Sequence, residues 1–303
     1  MNYNLITILG PTAVGKTRLG ALLANRFNGE IISADSRQVY SGMDIGTGKD
    51  LDDYIVEGKT VPFHLIDICN PGEEFNLFSF NKYFYKTFGD VVSKNKIPFL
   101  VGGTGLYLHS VLKGYDLNKV EFSEKRFSEL NELNIETLRE KLLGLNPELH
   151  NTTDLLIKER IIKAIIIAEK KDFEDVGGRV KINPLTIGVN LERKLVRERI
   201  TKRLRQRLEN GMIDEVKKLI ESGITFEKLE FFGLEYKFIA KYLKGEIGYE
   251  EMFEKLNIAI HQFAKRQMTW FRKMEREGIN INWIESTDYP TAKKIILEKY
   301  FDG

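Results

Sequence analysis

Gly10-Pro11-Thr12-Ala13-Val14-Gly15-Lys16-Thr17 fits the phosphate-binding pattern G-x-x-x-x-G-K-S/T at every fixed position. The chemistry of such a loop is anion capture. Successive backbone N–H groups turn inward around phosphate oxygens, at the positive end of a helix dipole. Lys16 neutralises the terminal phosphates, and the Thr17 hydroxyl ligates Mg²⁺. A diphosphate or triphosphate is therefore the predicted ligand, and the loop alone leaves its reaction open.

Other residues able to do chemistry follow short apolar runs. Asp35 comes after Glu30–Ser33, where a carboxylate could ligate Mg²⁺ through water, accept a proton or cap the next turn. Gly102-Gly103-Thr104-Gly105 follows Ile97–Val101; its glycines permit close backbone approach, and Thr104 offers a hydroxyl and an N–H near the phosphates. Many nucleotide triphosphatases end such a strand in a Mg²⁺-binding aspartate. Glycine in that place argues against a generic motor or switch. Asp67, after Phe63-His64-Leu65-Ile66, is the alternative carboxylate and keeps phosphotransfer open. Arg193, Lys194, Arg197, Arg199, Lys202, Arg203, Arg205 and Arg207 crowd one segment against a single acid, Glu198. Leu195, Ile200, Leu204 and Leu208 form its apolar stripe. A second cluster, Lys265, Arg266, Arg272 and Lys273, is interleaved with Phe263, Trp270 and Phe271. Both runs fit either solvated helix faces or contact with a phosphate backbone.

The elements that must position these residues alternate strand with helix. Leu5–Leu9, Glu30–Ser33, Phe63–Ile66, Ile97–Val101, Leu185–Val189 and Asn280–Ile284 read as strands. Thr17–Phe27, Ser79–Ser93, Arg193–Glu209, Met212–Glu221, Tyr236–Lys244 and Tyr249–Glu277 read as helices. The alternation predicts an α/β fold, a parallel sheet covered on both faces, with ligands at the carboxyl ends of the strands. Residues 115–182 have helical periodicity at Glu136–Leu143 and Lys158–Lys170 and little strand signal. We read residues 1–114 as the first part of the phosphate-loop core, 115–182 as a helical insertion, and 183–303 as core completion with the basic helices and a last strand.

The 303 residues, 42% hydrophobic with a formal charge of +2, can bury a substantial core. One cysteine, Cys69, excludes an internal disulfide and suits a reducing cytosol. His64, His109, His150 and His261 lack zinc-site spacing. With no signal-peptide pattern and no long apolar span, a soluble cytoplasmic protein is expected.

Together these residues resemble the tRNA dimethylallyltransferase (tRNA isopentenyltransferase) family over most of the chain. The phosphate loop, Ile32–Tyr40 followed by Gly42-Met43-Asp44-Ile45-Gly46-Thr47, His64–Asp67, Val101–Tyr107 and Ala264–Arg272 match its motifs in order. The resemblance implies Mg²⁺-dependent transfer of a dimethylallyl group from dimethylallyl diphosphate, held in the phosphate loop. The acceptor is N6 of the adenosine just 3′ of a tRNA anticodon, splayed out of its stack. It implies Asp35 as the base, contact of that nucleotide by Asp35, Ser36, Gln38 and Thr104, and further tRNA contacts by Arg37, Arg266 and Gln267. The insertion, through Arg160 and Lys163, grips the anticodon stem-loop, and the protein acts as a monomer. The chain departs from the family pattern at Gly233-Leu234-Glu235, where a basic residue is usual in the third place, and at Ile260-His261, Ile165-Ile166 and Gly48. Rival readings are an adenine-nucleotide prenyltransferase, a small-molecule kinase and a tRNA-binding paralogue with little catalysis.

Overall fold

The computed structural model describes residues 3–115, 124–145, 158–169 and 180–302. Among them are strands β1 (Leu5–Leu9), β2 (Gly29–Ala34), β3 (Ile55–Val56), β4 (Lys59–Thr60), β5 (Phe63–His64), β6 (Ile97–Gly102), β7 (Pro184–Asn190) and β8 (Ile281–Glu285). Six form one sheet in the order β5-β2-β6-β1-β7-β8, and every pair in it is parallel. The strands β3 and β4 make a separate antiparallel hairpin. Every residue of β1 and β2 is buried. Because successive side chains point to opposite faces, burial without alternation means that both faces are covered, as the strand–helix alternation predicts.

The helices are α1 (Lys16–Arg26), α2 (Leu77–Ser93), α3 (Gly105–Leu112), α4 (Glu124–Asn131), α5 (Ile135–Leu145), α6 (Lys158–Glu169), α7 (Arg193–Glu209), α8 (Met212–Glu221), α9 (Phe226–Phe232), α10 (Leu234–Leu243), α11 (Tyr249–Arg276) and α12 (Tyr289–Ile296). The long helix α11 buries Met252, Leu256, Ile260, Ala264, Gln267, Phe271 and Met274. Those positions recur at intervals of three and four, one stripe of a 3.6-residue period. In α7 the buried stripe is Val196, Ile200, Leu204 and Leu208, while Leu195 is exposed. Leu195 therefore does not belong to the stripe expected from sequence; Val196, four residues before Ile200, takes its place.

The chain divides into two units, Met1–Tyr115 with Val180–Gly303, and Asp116–Arg179. In the second, α4, α5 and α6 enclose Leu130, Leu138, Leu142, Ile161, Ile162, Ile165 and Ile166. Ile165 and Ile166 are thus core residues of this small bundle. Glu169 accepts from Arg126 at 2.6 Å and pairs with Lys141 at 2.8 Å, tying its three helices together. Parts of the predicted insertion, residues 116–123, 146–157 and 170–179, lie outside the described residues, as does the Lys170 end of its last predicted helix.

Candidate active site

The carboxyl ends of β1, β2 and β6 converge on one cleft of about 550 Å³. The chain leaves β1 at Leu9 and re-enters regular structure at Lys16, the first residue of α1. Gly15 precedes that helix at φ 87°, a left-handed conformation that a side chain would strain. The first-turn N–H groups of α1 lack intrahelical partners and carry the positive end of its dipole. Thr12, Ala13, Gly15, Lys16 and Thr17 line the cleft. Gly10, Pro11 and Val14 are buried beneath them. Lys16 Nζ folds back to donate to the Pro11 carbonyl at 3.4 Å. Burial holds the Lys16 ammonium down to about 8, opposed by the Asp35 charge and reinforced by that of Arg203.

At the end of β2, Asp35 Oδ1 accepts from the Arg37 backbone N–H at 2.9 Å. The turn-capping use is therefore realised by one oxygen, while Oδ2 has no hydrogen bond among the described residues. Thr104, after β6, ties the neighbouring turn: its Oγ1 accepts from the Ser36 N–H at 3.0 Å, and its own N–H donates to the Ala34 carbonyl at 3.2 Å. The approach of these two strand ends requires Gly102, since a Cβ there would stand 2.3 Å from the Ala34 carbonyl oxygen. Gln38 donates through Nε2 to the Gly48 carbonyl at 3.0 Å.

Arg266 lines the cleft with its guanidinium over the Phe263 ring, 5.9 Å from the centroid. Gln267 also lines it but is nearly buried, and both ends of its amide are engaged. Oε1 accepts from the Thr12 N–H at 2.8 Å and Nε2 donates to the Gly103 carbonyl at 2.8 Å. It joins the Gly10–Thr17 loop to the turn after β6. Arg160 and Lys163 lie on α6 in the second unit, both exposed, with Lys163 paired to Glu159 at 2.6 Å.

The structure separates the cations of the basic helix α7. Arg203 and Arg207 line the cleft, whereas Arg193, Lys194, Arg197, Arg199, Lys202 and Arg205 are exposed. Arg203 Nη2 donates to the Thr12 hydroxyl. Burial lowers its guanidinium to about 10, with Arg207 adding to the fall, and it remains a cation at neutral pH. Arg207 pairs with Asp50 at 3.4 Å. Spacing does not set these two apart, because Arg199 stands at the same i, i+4 interval from Arg203 and is exposed. The departure Gly233-Leu234-Glu235 also falls in the cleft. Burial raises the Glu235 carboxyl, while Arg207 and Arg203 pull it down and Asp35 pushes it up. Lys237 lines the same cleft, 3.7 Å from Glu230. Asp67, the alternative carboxylate, is ion-paired with the buried Lys49 and does not line the cleft. Ile260 lines it, and His261 instead approaches the Arg197 carbonyl at 3.3 Å.

The chain that forms this cleft has relatives of known family. The family model described as IPP transferase matches residues 38–274. The chain belongs to this family. It is 53% identical over 290 residues to tRNA dimethylallyltransferase 1 of Geotalea uraniireducens, covering 96% of this chain and 95% of that one. It is 50% identical to tRNA dimethylallyltransferase 1 of Syntrophus aciditrophicus, covering 97% of each. The crystal structure of the tRNA isopentenylpyrophosphate transferase of Bacillus halodurans superposes with a TM-score of 0.71 at 33% identity, covering 99% of this chain and 98% of that one. A eukaryotic dimethylallyltransferase acting on tRNA shares the fold, with a TM-score of 0.76 at 23% identity, covering 99% of this chain and 77% of that one. The family match begins at Gln38, so the Gly10–Thr17 loop and Asp35 are reached through the near-full-length relatives. No described helix is long and apolar enough to cross a membrane.

Proposed function

We propose that this protein transfers the dimethylallyl group of dimethylallyl diphosphate to N6 of the adenosine just 3′ of a tRNA anticodon, releasing diphosphate. The observation that carries this reading is the meeting of Lys16, Arg203, Asp35 and Thr104 in one cleft, in a chain half identical to tRNA dimethylallyltransferases. In the reaction the C–O bond from the dimethylallyl C1 to the diphosphate breaks, and a bond from adenine N6 to that carbon forms. The N6 proton passes to Asp35 Oδ2 and on to solvent.

Each residue has a role that follows from its place. Charge builds on the departing diphosphate, which Lys16, Arg203 and the N–H groups at the start of α1 stabilise. One preorganised donor of this kind contributes about 3–4 kcal/mol. The adenine N6 lone pair is delocalised into the ring, so the amine is a weak nucleophile, and a positioned base contributes about 10²–10⁴-fold. Ser36 and Thr104 are bonded to each other and fix the wall beside Asp35. The base must leave its stack to reach this cleft. Mg²⁺ supplies Lewis-acid stabilisation of the leaving group when bound. The Thr17 hydroxyl, lining the cleft in the first turn of α1, would hold it together with diphosphate oxygens and water. Among the described residues no group of three or more His, Cys, Asp or Glu could cage a metal, and Mg²⁺ bound through substrate phosphates needs none. The protein acts as a monomer.

Incubation with Mg²⁺, dimethylallyl diphosphate and total tRNA, followed by digestion and mass analysis of nucleosides, tests the proposal. The expected result is one added five-carbon unit on adenosine, absent with Asp35→Ala. Bound tRNA with no prenylated adenosine at saturating diphosphate would overturn it.

A further inference from the structure

Two consecutive phenylalanines end α9 in opposite environments. Phe232 is fully buried, its ring 4.9 Å from that of Tyr40. Phe231 is 54% exposed and lines the cleft. Burying such a ring would be favourable, a gain this position forgoes. A single exposed apolar side chain is ordinary on any surface. Phe231 is not single, because Leu106 and Phe263, also exposed, line the same cleft.

Its surroundings are cationic. The Arg37 guanidinium lies 5.6 Å from the Phe231 ring centroid, and Lys228 Nζ lies 5.5 Å from it. Arg37 is also the residue whose N–H is held by Asp35 Oδ1. One short segment thus links the reacting carboxylate to the exposed ring. An aromatic face beside cations matches an unpaired nucleotide, whose base presents a π-face while its phosphate presents negative charge. Phosphate neutralisation by Arg37 and Lys228 would complement stacking on Phe231.

We propose that Phe231, flanked by Arg37 and Lys228, is a stacking site for the unpaired nucleotide adjoining the acceptor adenosine in the RNA strand. This rests on the tRNA-modifying reading above. With the adenosine drawn to Asp35, its neighbour in the strand is held at the ring, and the site selects for an anticodon loop that can unstack there. Because every base has a π-face, Phe231 contributes affinity with little preference for base identity.

The test uses the full chain and a synthetic anticodon stem-loop carrying fluorescent 2-aminopurine on one side of the acceptor adenosine, then on the other. With the native protein one of the two probes is quenched on binding. Phe231→Ala should lose that quench and weaken stem-loop affinity about fivefold to a hundredfold, the range of base–aromatic stacking. Phe231→Tyr should restore both, and KM for dimethylallyl diphosphate should stay unchanged in either variant. Tyr249→Ala, which removes an exposed ring outside the cleft, is the control and should bind as the native protein does. Native affinity and native quench in Phe231→Ala would overturn the stacking site while prenyl transfer by the native protein still stood. Failure of the native protein to prenylate the stem-loop would instead overturn the functional reading beneath it.

Discussion

The Glu215 carboxylate on α8 accepts the Tyr236 hydroxyl of α10 at 2.7 Å and, at the same time, three consecutive backbone N–H groups. Those of Asp44, Ile45 and Gly46 donate to it at 2.8, 2.7 and 3.0 Å. The loop it gathers supplies Gly46, Thr47 and Gly48 to the cleft wall, and the Gly48 carbonyl receives Gln38. Glu215 therefore positions a wall of the site without touching the reacting atoms. Glu215→Ala would strand several donors, each costing about 1–3 kcal/mol when left unsatisfied, whereas Tyr236→Phe removes one bond worth about 1 kcal/mol. Urea unfolding should rank the two variants in that order. Equal stability would show that water replaces the carboxylate.

Gln267 stabilises the site in a different way, by spanning two backbones. Its amide joins the Thr12 N–H to the Gly103 carbonyl, both at 2.8 Å. Gln267→Glu keeps the acceptor and replaces the donor with a second acceptor facing a carbonyl oxygen. That variant should lose about 1–3 kcal/mol of stability and raise KM for the diphosphate donor through a loosened loop. Native kinetics from a stably folded Gln267→Glu would confine the residue to a structural role away from the donor.

The two cations Arg199 and Arg203 should behave differently despite sharing a helix. Arg203 meets the Thr12 hydroxyl in the cleft, and Arg199 faces solvent. Arg203→Ala should raise KM for dimethylallyl diphosphate about tenfold to a hundredfold, as expected for loss of a charged hydrogen-bond partner. Arg199→Ala should leave that constant alone and reduce only the salt dependence of RNA binding. Steady-state kinetics with each substrate varied in turn separate them. Matching effects on both substrates would mean that the helix acts as one surface after all.

How far the sequence reveals this site depends on what kind of signal each part carries. The Gly10–Thr17 loop, Asp35 and Thr104 were legible because strand ends in a parallel sheet face one edge, and fixed motifs mark those ends. The six strands of the main sheet and most of the long helices were legible from periodicity, with α7 and α8 recovered to the residue, whereas the two-residue strands β3 and β4 were not. Short elements were not. The helices α9 and α12 have 7 and 8 residues, too few turns for a hydrophobic period to emerge. The strand expected over Phe63–Ile66 stops at His64, because Leu65 takes φ 63° and Asp67 φ 55°. Tertiary contacts were the least legible part. Nothing in the order of residues brings Glu215 to residues 44–46, or turns Arg203 inward and Arg199 outward. The engaged amide of Gln267 belongs to the same class, for its partners lie 255 and 164 residues away.

The protonation of Lys16 should couple donor binding to pH. Burial holds its ammonium down to about 8, against 10.5 for an unperturbed lysine. Between those values the unfolded chain carries the proton and the folded chain has lost it. Raising the pH through that window therefore relieves a cost of folding, and below about 8 the cost is fully present. A bound diphosphate reverses the preference, because its negative charge favours the ammonium form. Binding of dimethylallyl diphosphate above about pH 8 should then take up protons, and its affinity should fall as the pH rises further. Titration calorimetry in two buffers of different ionisation enthalpy reads the uptake directly. Lys16→Arg, whose guanidinium stays charged throughout, should abolish the coupling even if it binds more weakly. A donor affinity flat from about pH 7 to 9 would show that Lys16 does not titrate in the free site, and that its charge is held by Asp35 before the diphosphate arrives.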